Sequence, residues 1–142
     1  MTSLRSQLAE LCRKNNIVAV YAFGSRAKEA RESLDCGCLR MSKTSADLDV
    51  GILLPRGIRI DVSERVRLAT ILEDMFEVSR VDLVVLPEAS AFLALEVVRG
   101  ELLVDLSPDD TARFELYVLR RAGDLAYFEH ERRSFVLTEG GV

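Results

Sequence analysis

Ile17-Val-Ala-Val-Tyr-Ala-Phe-Gly-Ser25 is a run of seven apolar residues that ends abruptly at a glycine and a serine. No polar residue alternates through it, so the run reads as a strand covered on both faces. Arg26-Ala-Lys-Glu-Ala-Arg-Glu32 follows with strong helix formers, giving the order strand, tight turn, short helix. Upstream, Leu4, Leu8 and Leu11 recur at helical spacing, and the predicted helix over about 3–15 ends at the turn-forming pair Asn15-Asn16.

Downstream, residues 33–46 show no clean period and read as a long loop. Asp47-Leu-Asp-Val-Gly-Ile-Leu-Leu54 is a second strand, closed by Pro55-Arg-Gly57. A helix starts near Asp61, which has capping-box spacing to Glu64, and carries an apolar stripe of Val62, Val66, Ala69, Leu72 and Phe76. Val81-Asp-Leu-Val-Val-Leu86 is a third strand stopped by Pro87. A helix over 89–99, with Phe92, Leu95 and Val98 as its stripe, ends at Gly100, and Glu101–Leu106 is a fourth strand at an edge. Ser107-Pro108-Asp109-Asp110 opens a long helix, with Ser as N-cap, Pro at the first helical position and acids facing the positive end of the dipole. Its expected end is near Arg132.

Alternating helices and strands predict an α/β protein with one small, buried sheet flanked by helices and a long C-terminal helix. At 142 residues with 49% apolar content, one core is expected: a single domain over 1–133 and a disordered tail over 134–142. The net charge of −4 argues against a broad basic face for long nucleic acids or an anionic membrane. The N-terminal stretch lacks a signal-peptide core, and no apolar run is long enough to span a bilayer. The three cysteines, Cys12, Cys36 and Cys38, read as free thiols, so a cytoplasmic location is expected.

Asp47 and Asp49 stand two residues apart on a strand, which sends both carboxylates to one face while Leu48 points to the other. Carboxylates held this close repel one another, and a hard divalent cation such as Mg2+ between them removes the penalty. Asp-x-Asp is short enough to arise by chance. Asp82 strengthens the case: it is a lone charge near the start of an apolar strand, where a carboxylate is costly without solvent, a partner or a metal. If its strand lies beside the Asp47 strand, three carboxylates could hold two metal ions. Gly24 and Ser25 supply a turn that lets the backbone approach a phosphate, with a hydroxyl donor and the free N–H groups of a helix start.

Phe23-Gly24-Ser25-Arg26-Ala27, then Ala46-Asp47-Leu48-Asp49-Val50, then Val81-Asp82-Leu83-Val84-Val85 together resemble the DNA polymerase β-type nucleotidyltransferase superfamily. Within it, the chain is similar to the minimal nucleotidyltransferase (MNT) antitoxins paired with HEPN-domain toxins, and the resemblance extends through Leu95–Asp105 and into 114–125. It implies the nucleotidyltransferase fold, with a small mixed sheet, and Mg2+-dependent transfer of AMP from ATP to a tyrosine hydroxyl of a partner HEPN toxin. It also implies roles: Gly24, Ser25 and Arg26 for the nucleotide, and Asp47, Asp49 and Asp82 for metal binding and catalysis, with two Mg2+ ions. Two rival functions share these motifs, an antitoxin acting by contact alone and a transferase acting on a small molecule of the aminoglycoside type. The chain departs from the family in the 21 residues from Arg26 through Ala46, a longer span than usual, with Cys36, Cys38, Arg40 and Lys43 in the excess. Apolar side chains of the last helix, among them Phe114, Tyr117, Leu125 and Phe128, read as core or as a docking surface.

Overall fold

The computed structural model describes residues 3–37, 41 and 46–140, with side chains through Arg132. Five helices and four strands follow one another as α1 (Leu4–Lys14), β1 (Ala19–Phe23), a 3-10 turn (Gly24–Arg26), α2 (Ala27–Cys36), β2 (Leu48–Leu53), α3 (Val62–Phe76), β3 (Val81–Leu86), α4 (Ala91–Val98), β4 (Glu101–Asp105) and α5 (Pro108–Gly140). The sheet is mixed, in the order β3-β2-β1-β4: β1 pairs antiparallel with β2 and β4, and β2 pairs parallel with β3. The α/β layer expected from alternation is present, with β4 at an edge.

Period-two alternation splits the strands between two apolar layers. Val20, Ala22, Leu48, Val50, Ile52, Val81 and Val85 face the layer completed by α1, α2 and α3, through Leu8, Leu34, Leu68, Leu72 and Phe76. Ala19, Tyr21, Phe23, Leu53 and Leu86 face the thinner layer of α4 and α5, through Ala94, Val97 and Val118. All five β1 residues are buried, as a strand covered on both faces requires. Short polar side chains start the helices: Ser3, Asp61 and Ser90 accept from the N–H groups of Ser6, Glu64 and Leu93.

Four sequence expectations need correction. The loop expected from residue 33 begins later, because α2 runs to Cys36 and ends at Gly37 in the left-handed region, φ +71°. Ser33 and Leu34 are buried on that helix, whose apolar face outlasts the breakpoint drawn from composition. Cys38, Arg40 and Lys43 lie outside the described residues, while Cys12 is a buried free thiol and Cys36 Sγ donates to the Ser33 carbonyl. On α3, Leu68, Leu72 and Phe76 are buried but Val62 is 74% and Val66 61% exposed, since the apolar residues spread over more than one face of this helix and period alone does not select the phase. On α4 the inward stripe is Ala91, Ala94 and Val97, one position from the expected Phe92, Leu95 and Val98, and Phe92 is exposed. The small residues win because α4 lies close on the sheet: a Cβ at Gly51 of β2 would run into Val97 Cγ1.

The fourth correction concerns the C-terminus. α5 continues to Gly140 rather than ending near Arg132, so the expected disordered tail is helical over 134–140. The chain from Glu131 through Thr138 contains neither glycine nor proline to stop it. Among the described side chains of α5, Thr111, Val118 and Ala122 are buried, while Tyr117, Leu125 and Phe128 are exposed and Phe114 is partly covered. Among the described residues, no helix is long and apolar enough to cross a membrane.

Candidate active site

β1 runs toward the same end of the sheet at which the parallel pair β2 and β3 begins, and one rung of the ladder joins them there. Phe23 pairs with Asp49, and Asp49 pairs with Asp82. Register partners point to the same face, so the Asp49 and Asp82 carboxylates lie together on the side covered by α4 and α5. Asp47, two residues before Asp49 and just outside the strand, belongs to that face by the same alternation. Cover thins across the rung: Phe23 is buried, Asp49 half-buried and Asp82 exposed on the outer strand. The sequence expectation that the Asp82 strand lies beside the Asp47 strand holds.

Gly24 leaves β1 with φ +75°, a conformation that disfavours any Cβ, and here a Cβ would also meet Asp49 Oδ2. The strand end and the carboxylate are therefore in direct contact, with Ser25 exposed on the 3-10 turn beside them. The turn flows into α2, so its N–H groups stand at a helix start within reach of the carboxylate rung.

The electrostatics fit that crowding. The Asp49 carboxyl is pushed above the ordinary aspartate range, first by burial and then by the negative charges of Asp82, Asp47 and Glu96. Among the described residues Asp47 pairs with Arg80, whose Nε lies 3.6 Å from Oδ2, both side chains being exposed. An all-oxygen, like-charged donor set of this kind suits a hard divalent cation. Among the described residues no three such groups already converge in ligand geometry, so a cation would draw together side chains that now repel.

Arg26, expected from the sequence to touch phosphate, is turned inward. It is 3% exposed, its Nη1 donates to the Ala46 carbonyl at 3.0 Å, and its Nη2 donates to Glu29 Oε2 at 3.2 Å. Three neighbours of the rung escaped sequence reasoning. Glu96 sits on α4 one residue before Val97, which packs against Gly51, and helical periodicity carries no sign of that proximity. Arg80 directly precedes β3, so its nearness to Asp47 followed from the parallel register alone. Glu73 of α3 accepts from the N–H of Val81 at 3.1 Å, steadying the peptide that leads into Asp82.

Residues 6–109 match the profile of the polymerase beta nucleotidyltransferase family. A sequence search among curated proteins finds no match. Several solved structures share the fold, three of them as follows. One is the toxin–antitoxin MntA-HpeT carrying two aspartate-to-glutamate changes, with a TM-score of 0.67 at 22% identity over 94% of this chain and 98% of that one. Another is an MNT antitoxin in complex with a tri-AMPylated HEPN toxin of Shewanella oneidensis, at 0.64 and 22% over 94% and 96%. The third is a toxin–antitoxin with AMP-PNP, at 0.67 and 22% over 94% and 98%.

Proposed function

Since the chain belongs to the polymerase beta nucleotidyltransferase family, we propose that it is an MNT antitoxin that transfers AMP from ATP to a tyrosine hydroxyl of a partner HEPN toxin and so neutralises it. The observation that carries this reading is the rung Phe23–Asp49–Asp82, which puts the Gly24-Ser25 turn and three carboxylates at one end of one sheet face. A tri-AMPylated HEPN toxin bound to an antitoxin of the same fold supports the acceptor class, and AMP-PNP with another such pair supports ATP as donor.

Each residue then has a task. The turn at Gly24 and Ser25 receives the β- and γ-phosphates on backbone N–H groups and one hydroxyl. Asp47, Asp49 and Asp82 would hold Mg2+, which when bound neutralises charge on the triphosphate and polarises the reacting oxygens. The acceptor oxygen attacks the α-phosphorus, the bond from that phosphorus to the oxygen bridging it to the β-phosphate breaks, and pyrophosphate leaves. Asp82, the most exposed of the three and on the outer strand, is placed to take the proton of a hydroxyl brought by another protein. Burial of Asp49 beside Gly24 fixes the inner ligand while Asp82 stays open to the acceptor.

The test is to incubate the protein with ATP, Mg2+ and its cognate HEPN toxin and to weigh the toxin by intact-mass spectrometry. Additions of AMP are expected with the wild type and none with Asp47→Asn or Asp49→Asn. A folded wild-type protein that never labels its partner would overturn the reading, and aspartate variants that still protect cells would favour neutralisation by contact.

A further inference from the structure

Asp47 stands before the first strand residue, and the hydrogen bonding of β2 to its neighbour starts one position later, where the Leu48 N–H donates to the Arg80 carbonyl at 3.0 Å. The peptide that joins Ala46 to Asp47 thus lies ahead of the ladder, and Arg26 holds its carbonyl. Its Nη1 donates to the Ala46 carbonyl oxygen, the acceptor of that peptide, at 3.0 Å. Its Nη2 pairs with Glu29 one turn along α2 at 3.2 Å, the ion pair that lets a guanidinium remain 3% exposed. Held through both ends of its planar fork, this guanidinium couples the start of α2 to the entry of β2.

We propose that Arg26 is a positioning residue: by fixing the Ala46–Asp47 peptide it sets where the Asp47 carboxylate stands relative to Asp49, and hence how well the pair holds a divalent cation. The phosphates of the nucleotide are not its partner. Its head group is committed to a backbone oxygen and a carboxylate on the inner side of the turn, while Ser25 beside it is exposed. This rests on the metal-binding role proposed for Asp47, and it assigns Arg26 a place behind that ligand, where outer-shell partners typically govern affinity about 10- to 100-fold.

Mn2+ alone is the probe, with free ion counted by electron paramagnetic resonance in a titration of the whole chain, so no nucleotide or acceptor is needed. Arg26→Gln is expected to weaken Mn2+ binding about 10-fold, and in an Asp47→Asn background the same change is expected to add nothing further. Circular dichroism and the melting temperature establish that each variant is folded. Should Arg26→Gln fail to fold, Glu29→Gln, which loosens the guanidinium without removing it, enters the same cycle with the same expected coupling to Asp47→Asn. Wild-type Mn2+ affinity in the Arg26 variant, with loss confined to nucleotide binding, would overturn the proposal in favour of a phosphate contact. An effect that adds in full to that of Asp47→Asn overturns it as well, because the residue would then act on the fold at large. Equal Mn2+ binding by wild type and Asp47→Asn strikes at the metal site itself, before Arg26 is reached.

Discussion

Gly24 and Asp49 occupy each other's space: the position a Cβ would take on Gly24 is filled by the Asp49 carboxylate, whose Cγ would be 3.4 Å away. The glycine thus serves two purposes, since it adopts φ +75° at the turn and it leaves room for a charged group on the neighbouring strand.

Gly24→Ala tests the pair. The left-handed backbone costs an alanine about 1 kcal/mol, and the added methyl displaces Asp49. We expect a folded protein with AMP transfer reduced about 100-fold, the scale of a misplacement near 1 Å at a reacting centre. Thermal melting and transfer rate, measured on the same sample, separate the two effects.

Asp49→Asn should raise the melting temperature of the metal-free protein while abolishing transfer. The folded-state pKa of Asp49 lies above the ordinary aspartate range because burial and the carboxylates of Asp82, Asp47 and Glu96 disfavour its charge. Its ionisation therefore costs stability, a cost absent below the ordinary aspartate range and complete once the pH exceeds the raised value. Melting curves without metal should show wild type losing this increment as pH rises through that window, and the variant not. Added Mg2+ should restore stability to wild type at neutral pH and do little for the variant. Identical pH profiles for the two proteins would refute the electrostatic account.

Gly51→Ala carries the same kind of argument to the helix packing. Its methyl would strike Val97 Cγ1, and overpacking of this sort costs about 1–3 kcal/mol. Val97→Ala in the same chain removes the clash, so the double variant should recover much of the stability lost by Gly51→Ala. Additive losses in urea unfolding would show that α4 does not lie on β2 through this contact.

Tyr21→Phe addresses the anchor of α5. The Tyr21 hydroxyl, buried on β1, donates to Glu115 Oε1 at 2.6 Å, and burial together with that carboxylate pushes the phenol far above its ordinary value, so it stays a donor throughout the working pH range. Losing a hydrogen bond to a charged acceptor costs about 1.5–3 kcal/mol. We expect a lower unfolding midpoint with transfer activity nearly unchanged, because this contact lies away from the carboxylate rung.

The site was more legible than the surfaces around it. The apolar run ending at Phe23 and the Asp47/Asp49 alternation follow from hard geometric periods, so strand, turn and shared face were all readable, and Asp82 needed only the parallel pairing found in β3. Helix faces were harder. Val62 and Val66 keep helical spacing as well as Leu68 and Leu72 do, and only the sheet against which α3 packs decides which pair goes inside. Phe92 lost to Ala91 and Ala94 for a reason written elsewhere in the chain, the missing side chain at Gly51. Arg26 shows the limit for single residues: a cation beside a phosphate turn and a cation holding a backbone oxygen look alike in sequence.

Phe23 and Asp49 are separated by the whole of α2 and the segment after it, yet they are neighbours across two strands. The phosphate turn and the carboxylates are thus registered sideways, by the sheet, and not by the number of residues between them. The 21 residues from Arg26 through Ala46, ten of them in α2, can therefore form a long connection without detuning the site. This is the place in the architecture where the length of the connection can change while the register of the site stays fixed.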